Sequence, residues 1–176
     1  MQRPIRPDWL IRQANELAGA GRGAGQPRNA NLRRAVSAAY YALFHEITLQ
    51  VARHVVPEPP CTDEARHRFV RLIPHQGVKS VCAWVSGPDR PPPRVFDALM
   101  AVRDDTDLRD VAGTFVQLIE ARHAADYDHL EPFTKPAVLT RVESAETAIR
   151  LLTSRKGTDT YMLFMAHLAA TARIQG

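Results

Sequence analysis

The stretch Asn31-Leu-Arg-Arg-Ala-Val-Ser-Ala-Ala-Tyr-Tyr-Ala-Leu-Phe-His45, with its continuation to His54, repeats apolar residues at Leu32, Val36, Ala39, Leu43, Ile47 and Val51. Steps of three and four are those of one face of an α-helix. Ala35, Ala38, Ala39 and Ala42 favour the helix intrinsically and are small enough to let a neighbouring backbone approach closely. The segment therefore reads as a long core helix from about Asn31 to His54. A second stripe on it is polar: Arg34, Ser37, Tyr41, His45 and Thr48 follow the same spacing and align a cation, hydroxyls and an imidazole along one side.

Outward from this helix, proline and glycine fall almost entirely between apolar-periodic segments, and strand signals are nearly absent. Six helices are expected in all. The first runs from about Asp8, as N-cap, to Ala18 and ends in a glycine tract that begins at Gly19. That tract lacks the Lys-Ser/Thr ending of a phosphate-binding loop, and no strand precedes it. After the Asn31–His54 helix, a shorter one starts behind Thr62-Asp63-Glu64 and stops before Pro74. A brief apolar piece, Val78 to Val85, leads into Gly87-Pro-Asp-Arg-Pro-Pro-Pro-Arg94, where no helix can persist. A short turn at Val95 to Val102 precedes a long helix that starts within Asp104 to Asp107 and runs to about Tyr127. Thr134-Lys-Pro caps a fifth helix to about Leu152, and Gly157-Thr-Asp separates it from a sixth at about Asp159 to Ala172. The expectation is an all-α, up-and-down bundle in a single domain: a core over about 31–152, a Pro-rich insertion at about 57–93 and a C-terminal helix at about 159–172.

A chain of 176 residues buries roughly 70% of the surface its unfolded form exposes, enough for a sizeable core. Hydrophobic residues at 45% and charged residues at 24% are those of a globular protein. No apolar run approaches the ~20 residues of a membrane helix, and the opening Met1-Gln-Arg-Pro-Ile-Arg lacks the apolar stretch of a signal peptide. A cytoplasmic protein is expected, with no membrane association. Cys61 and Cys82 are too few for a disulfide framework and too far apart for a zinc knuckle, so both are expected as free thiols. The net charge of +4, with a sequence pI near 9.4, is carried mostly by arginine, whose planar fork suits phosphate oxygens. It admits an RNA or nucleotide partner, although an Ala-, Arg- and Pro-rich composition also arises from genomic base bias.

The long helix ending near Tyr127 carries the stripe Leu108, Val111, Phe115, Leu118 and Ile119. Continued by the same steps, this core-facing line turns polar at Arg122 and proceeds through Ala125 or Asp126 to His129. Arg122 and His129, close to two turns apart, would face the same way if the helix reached that far. Metal-free RNA cleavage asks for such groups. A base takes the 2′-hydroxyl proton, an acid protonates the leaving 5′-oxygen, and a cation stabilises the pentacoordinate phosphate. Histidine suits the first two tasks and arginine the third.

Arg122-His-Ala-Ala-Asp-Tyr-Asp-His129 resembles the Arg-polar-x-His ribonuclease motif of the HEPN family, with His123 in the polar place. Ser37-Ala-Ala-Tyr-Tyr-Ala-Leu-Phe-His45 is similar to the second helix of many HEPN domains, and Ala124-Ala-Asp-Tyr-Asp128 to the end of their later long helix. The resemblance covers about Asn31 to His129. It implies a HEPN-like helical bundle with extra flanking helices, a homodimer in which two motifs form one composite cleft, and toxin, antiphage or stress-response ribonucleases. A cognate antitoxin or other regulatory protein is a further partner it admits. It implies Arg122, His123 and His129 as catalytic residues and no cofactor. One subgroup has a modifiable Tyr shortly after the His; Leu130-Glu131 stand here instead.

The structural reading of the same residues is an i,i+4 surface bridge between Arg122 and Asp126 and a histidine near a helix end. Weaker constellations surround the motif. Arg71, His75 and Lys79, four apart, suggest a basic face for RNA, although Pro74 and Gly77 interrupt any continuous helix through them. Tyr40 and Phe44 read as core, whereas Arg34, Tyr41 and His45, with Asp126 and Tyr127, are candidates to line a cleft. The histidines show no metal-ligand spacing, so no metal is expected, and no nucleophile elbow is present. A HEPN-like, metal-independent endoribonuclease is the first expectation. A non-catalytic HEPN-like module binding nucleotide, RNA or a protein is the second, and a helical scaffold without a ligand the third.

Overall fold

The computed structural model describes residues 6–21, 25, 27–57, 63–88, 91–92 and 95–172. Among them the chain is all-helical: α1 Pro7–Leu17, α2 Asn29–Val55, α3 Asp63–Val70, α4 His75–Ser86, α5 Phe96–Asp104, α6 Thr106–Tyr127, α7 Lys135–Ser154 and α8 Asp159–Ala169. The arrangement is consistent with an up-and-down bundle. No helix is long and apolar enough to cross a membrane.

Helix α2 is the axis of the molecule and packs against α1, α3, α6, α7 and α8. Its expected apolar stripe is buried throughout, and so are all four of its clustered alanines. Tyr40, Phe44 and Phe115 form an aromatic knot between α2 and α6, with ring centroids 5.6 Å apart for Tyr40–Phe115 and 6.4 Å for Phe44–Phe115. On the opposite side, Tyr161 of α8 donates to the buried Gln50 Oε1 at 3.0 Å. Buried side chains of α1, α2, α4, α5, α6, α7 and α8 belong to one continuous core.

Local chemistry sets the helix ends. Pro7 takes the first helical position of α1, so Arg6 is the cap residue and Asp8 sits in the first turn rather than at the cap. Gly19, with φ +71°, closes α1 in the left-handed conformation that favours glycine. Asp105 caps α6 by accepting from the Leu108 amide, Thr134 caps α7 and Thr158 caps α8.

Two segments that were not among the expected helices are helices. The Val78–Val85 piece belongs to the 12-residue α4. Pro74 stands at its N-cap, outside the hydrogen-bonded ladder, where a missing N–H removes nothing. Gly77 lies inside α4, where a methyl group would come 2.6 Å from Thr171 Cβ beyond α8. Here glycine marks close helix packing rather than a break. The Val95–Val102 turn is α5, anchored by the buried Leu99 and Val102. Helix α8 ends at Ala169, three residues earlier than expected. Cys82 is a buried free thiol whose pKa is pushed well up by that burial. Cys61 and residues 22–24 of the glycine tract lie outside the described residues.

Candidate functional site

The polar stripe of α2 is graded along its length. Arg34 is exposed, Ser37, Tyr41 and His45 are half-buried, and Thr48 is buried. Two other elements close over the half-buried part. Helix α6 packs along α2 and brings Arg122 to it, and the start of α4 brings His75.

Arg122 continues the buried line of Leu118 and Ile119, and its side chain is 23% exposed. Its guanidinium carbon lies 5.9 Å from the Tyr40 ring centroid and 5.7 Å from that of Tyr41. Desolvation by these rings strengthens their attraction for a cation. Arg122 Nε is 2.7 Å from Asp126 Oδ2, yet the N–H does not point at that oxygen, and the buried Nε makes no hydrogen bond among the described residues. The contact is an ion pair without a directed bond. Asp126 is held from its other oxygen, which accepts from Ser37 Oγ at 3.2 Å.

His75 is the first residue of α4. Its Nδ1 lies 2.5 Å from the hydroxyl of the fully buried Tyr40. Its ring stacks on Phe44 at 3.8 Å and 13°, and meets Tyr41 edge-on at 86°. His45, one turn along from Tyr41, stacks on the Tyr41 ring at 6.1 Å. Burial lowers the pKa of both histidines, and the positive charge of Arg122, with His45, lowers that of His75 further. Although His75 is exposed as a residue, its inner edge is enclosed by Tyr40 and Phe44, which is why desolvation acts on it. Burial raises the Tyr40 hydroxyl well above the ordinary phenol value, with Arg122 acting in the opposite direction.

The residues of the Arg122–His129 segment part company at the helix end. Helix α6 stops at Tyr127, and the Asp128 N–H closes the last turn on the Ala124 carbonyl. Asp128 Oδ1 then accepts from the amides of Leu130 (2.9 Å) and Glu131 (3.2 Å) and turns the chain away. His129 is consequently outside the helical register of Arg122. It is exposed and forms no hydrogen bond or ion pair among the described residues. His123 is exposed and its ring meets Tyr127 edge-on at 6.1 Å; Tyr127 is itself 72% exposed. Arg71 is exposed in the turn after α3, outside α4, so it does not continue the line of His75 and Lys79. Those two share one face of α4, and Lys79 reaches Glu120 of α6 at 3.6 Å.

The structure thus gathers Tyr41, His45, His75, Arg122 and Asp126 in one contiguous side-chain cluster. Arg34 lines an open groove with Ser37, Asp126 and Tyr127, which meets this cluster at Asp126. His75 is the member whose position sequence spacing did not reveal. Pro74 followed by Val78, Val81, Cys82 and Val85 at helical steps was the available signal that a helix begins there. Another groove, between α6 and α7, is lined by residues such as Thr114, Gln117, Ser144 and Thr147, and contains neither histidine nor an aromatic ring. The chemistry-bearing groups belong to the α2–α4–α6 face.

The fold and site define an all-helical protein with a cation, imidazoles and phenols in a single cluster. No family model, no curated protein and no solved structure matches the chain.

Proposed function

We propose that this protein is a metal-independent endoribonuclease of HEPN type, acting as a homodimer on RNA in a toxin, antiphage or stress-response role. Arg122 stabilises the charge that develops on the phosphate during attack by the 2′-hydroxyl. His129 exchanges protons with the reacting oxygens from the exposed turn after α6, and His123 assists or orients. One observation carries the reading: a single guanidinium, three-quarters buried, lies over two tyrosines beside imidazoles whose pKa burial lowers. A preorganised cation in a site of low dielectric is what an anionic pentacoordinate phosphate needs.

Incubating the protein with mixed RNA in EDTA, alongside Arg122→Ala and His129→Ala, tests the assignment. Cleavage by the wild type that both variants lose supports it, and cleavage that both retain removes these residues from the site. A second reading, a non-catalytic HEPN-like module binding nucleotide, RNA or a protein partner in the same cleft, is favoured by the exposed, unpartnered position of His129. RNA binding that Arg122→Ala abolishes, without any cleavage, selects that module.

A further inference from the structure

The hydroxyl of Tyr40 belongs to a residue with no exposed surface, and the only hydrogen-bond partner it has among the described residues is His75 Nδ1. A buried phenol that stays protonated must place its hydrogen on an acceptor. Here that acceptor is Nδ1, so the O–H of Tyr40 donates and Nδ1 accepts. An uncharged imidazole carries a single N–H, which then sits on Nε2. The aromatic clamp of Phe44 and Tyr41 fixes the plane of the ring. With Nδ1 turned inward to Tyr40, the Nε2 edge is directed away from it, and Nε2 has no partner among the described residues of a histidine that is exposed as a whole.

We propose that His75 is a fixed hydrogen-bond donor of this site, presenting Nε2–H beside the Arg122 guanidinium to a non-bridging oxygen of an RNA phosphodiester, with Tyr40 as the positioning residue that sets its tautomer. The inference rests on the reading of the cleft as a site for phosphodiesters. It assigns His75 an electrostatic task and not a proton-transfer one, since the lone pair a general base would use is occupied by Tyr40. Burial and the Arg122 charge favour the uncharged ring, so that it adds a donor without adding a second full positive charge next to Arg122. The titratable groups around His75 are Tyr40, Tyr41 and His45 from α2, Arg122 from α6 and, one turn along α4, Lys79 in its pair with Glu120. No carboxylate pairs with the ring among the described residues, and the Glu120 carboxylate is engaged by Lys79.

Two measurements on the full chain test this. Long-range ¹⁵N–¹H NMR of the wild type at neutral pH should show His75 as the Nε2–H tautomer, and Tyr40→Phe should shift it towards a mixture. A wild-type spectrum with the proton on Nδ1, or with a cationic ring, overturns the proposal without any variant having to fold. The second measurement uses His75→Gln, whose amide nitrogen stands near the place of Nε2, and His75→Ala, which has no donor. Removing one such donor slows cleavage by about 10²-fold, chiefly in kcat. The Ala variant should show that loss and the Gln variant should stay within about tenfold of wild type. Equal loss in both refutes a donor role. A 2′-O-methyl RNA oligonucleotide, which cannot be cleaved, separates the two levels of the claim. If the wild type does not cleave RNA, the nuclease reading falls, and His75 stands only if this oligonucleotide binds more weakly to the Ala variant than to the Gln variant.

Discussion

Arg33 of α2 ties down the end of the helix that carries Arg122, and its replacement by alanine should be costly although the residue is only half-buried. Its Nη1 donates to the main-chain oxygens of Ala124 (3.3 Å), Ala125 (2.9 Å) and Asp128 (2.8 Å), and its Nη2 to that of Glu131 (2.9 Å). The same guanidinium lies 5.0 Å from the centre of the Phe133 ring. Ala124 already accepts from the Asp128 amide, but the Ala125 carbonyl has no backbone partner among the described residues. Asp128 and Glu131 lie in the turn beyond, and the helix end is the negative pole of the dipole, so a forked cation answers both needs. Hydrogen bonds from a charged group contribute about 1.5 kcal/mol each at the low end. Several shorter ones would give more than 4 kcal/mol if they added, but water can replace Arg33 at the exposed carbonyls. We therefore expect Arg33→Ala to destabilise by about 2–3 kcal/mol. At ~2–4 °C per kcal/mol for a chain of this size, the melting temperature should fall by about 4–12 °C. Urea unfolding followed by helical circular dichroism measures this directly. Arg33→Lys, which keeps the charge and loses the fork, should fall between the two. If Arg33→Ala unfolds within ~0.5 kcal/mol of wild type, solvent satisfies these carbonyls as well as the guanidinium does, and the clamp contributes nothing.

Asp105 accepts from Arg155 Nη2 (2.5 Å), Thr160 Oγ1 (2.7 Å) and the Leu108 amide (3.3 Å); Asp105→Ala should cost about 3 kcal/mol in urea unfolding, because it also strands Arg155. Burial raises the pKa of that carboxyl, but its hydrogen bonds outweigh the effect and hold it below the ordinary value; its contribution is present above the unfolded carboxylate pKa of ~3.9 and is lost as pH falls through the folded value, so Asp105→Asn should flatten the acid side of a stability–pH profile. Gly77→Ala should destabilise by about 1–3 kcal/mol through the approach to Thr171, with partial recovery in the Thr171→Gly background; wild-type stability of the single variant would mean that the turn after α8 yields freely. Asp126→Asn removes a competitor for Arg122, so fluorescence anisotropy should show up to about fivefold tighter binding of the 2′-O-methyl oligonucleotide, and unchanged or weaker binding would refute that competition.

The long helices were legible because each carries its own periodicity and its own punctuation. The apolar steps of α2 and α6 and the threonine caps of α7 and α8 are local signals, and the structure follows them closely. Helices α4 and α5 were not read as helices because prolines stand beside them and their apolar runs are brief. At that length, periodicity does not separate a buried helix from an extended apolar piece. Of the site, the burial of Tyr40 and Phe44 and the half-open position of Tyr41 and His45 were readable from the two stripes of α2. The end of α6 before His129 was foreshadowed by Pro132. What spacing cannot express is contact between distant segments. Tyr40 meets His75 across 35 positions, and Arg33 reaches Ala124 across 91. The first follows from how α4 packs on α6 beside α2, and the second from how α6 packs on α2.

The ion pair within the cleft dictates how an anion can enter it. Asp126 is pinned between Ser37 Oγ on one oxygen and Arg122 Nε on the other, so its charge stays on the Nε edge of the guanidinium. A phosphate approaching from that side, along the C-terminal end of α6, would meet Asp126 and then the exposed Asp128. The Nη edge carries the remaining donors of an arginine and has no carboxylate partner among the described residues. Tyr40 and Tyr41 hold the guanidinium over their rings, and His75 joins the same aromatic pair from α4. On the proposed reading a phosphate is therefore best received at the Nη edge, away from Asp126. The modest net charge of +4 is a poor guide to this site, because the balance of one guanidinium against one oriented carboxylate governs the local field more than the total does. A helix that buries one stripe to make the core thus uses its neighbouring stripe as the floor of the cleft, so the geometry of the site depends on the same packing that holds α4 and α6 in place.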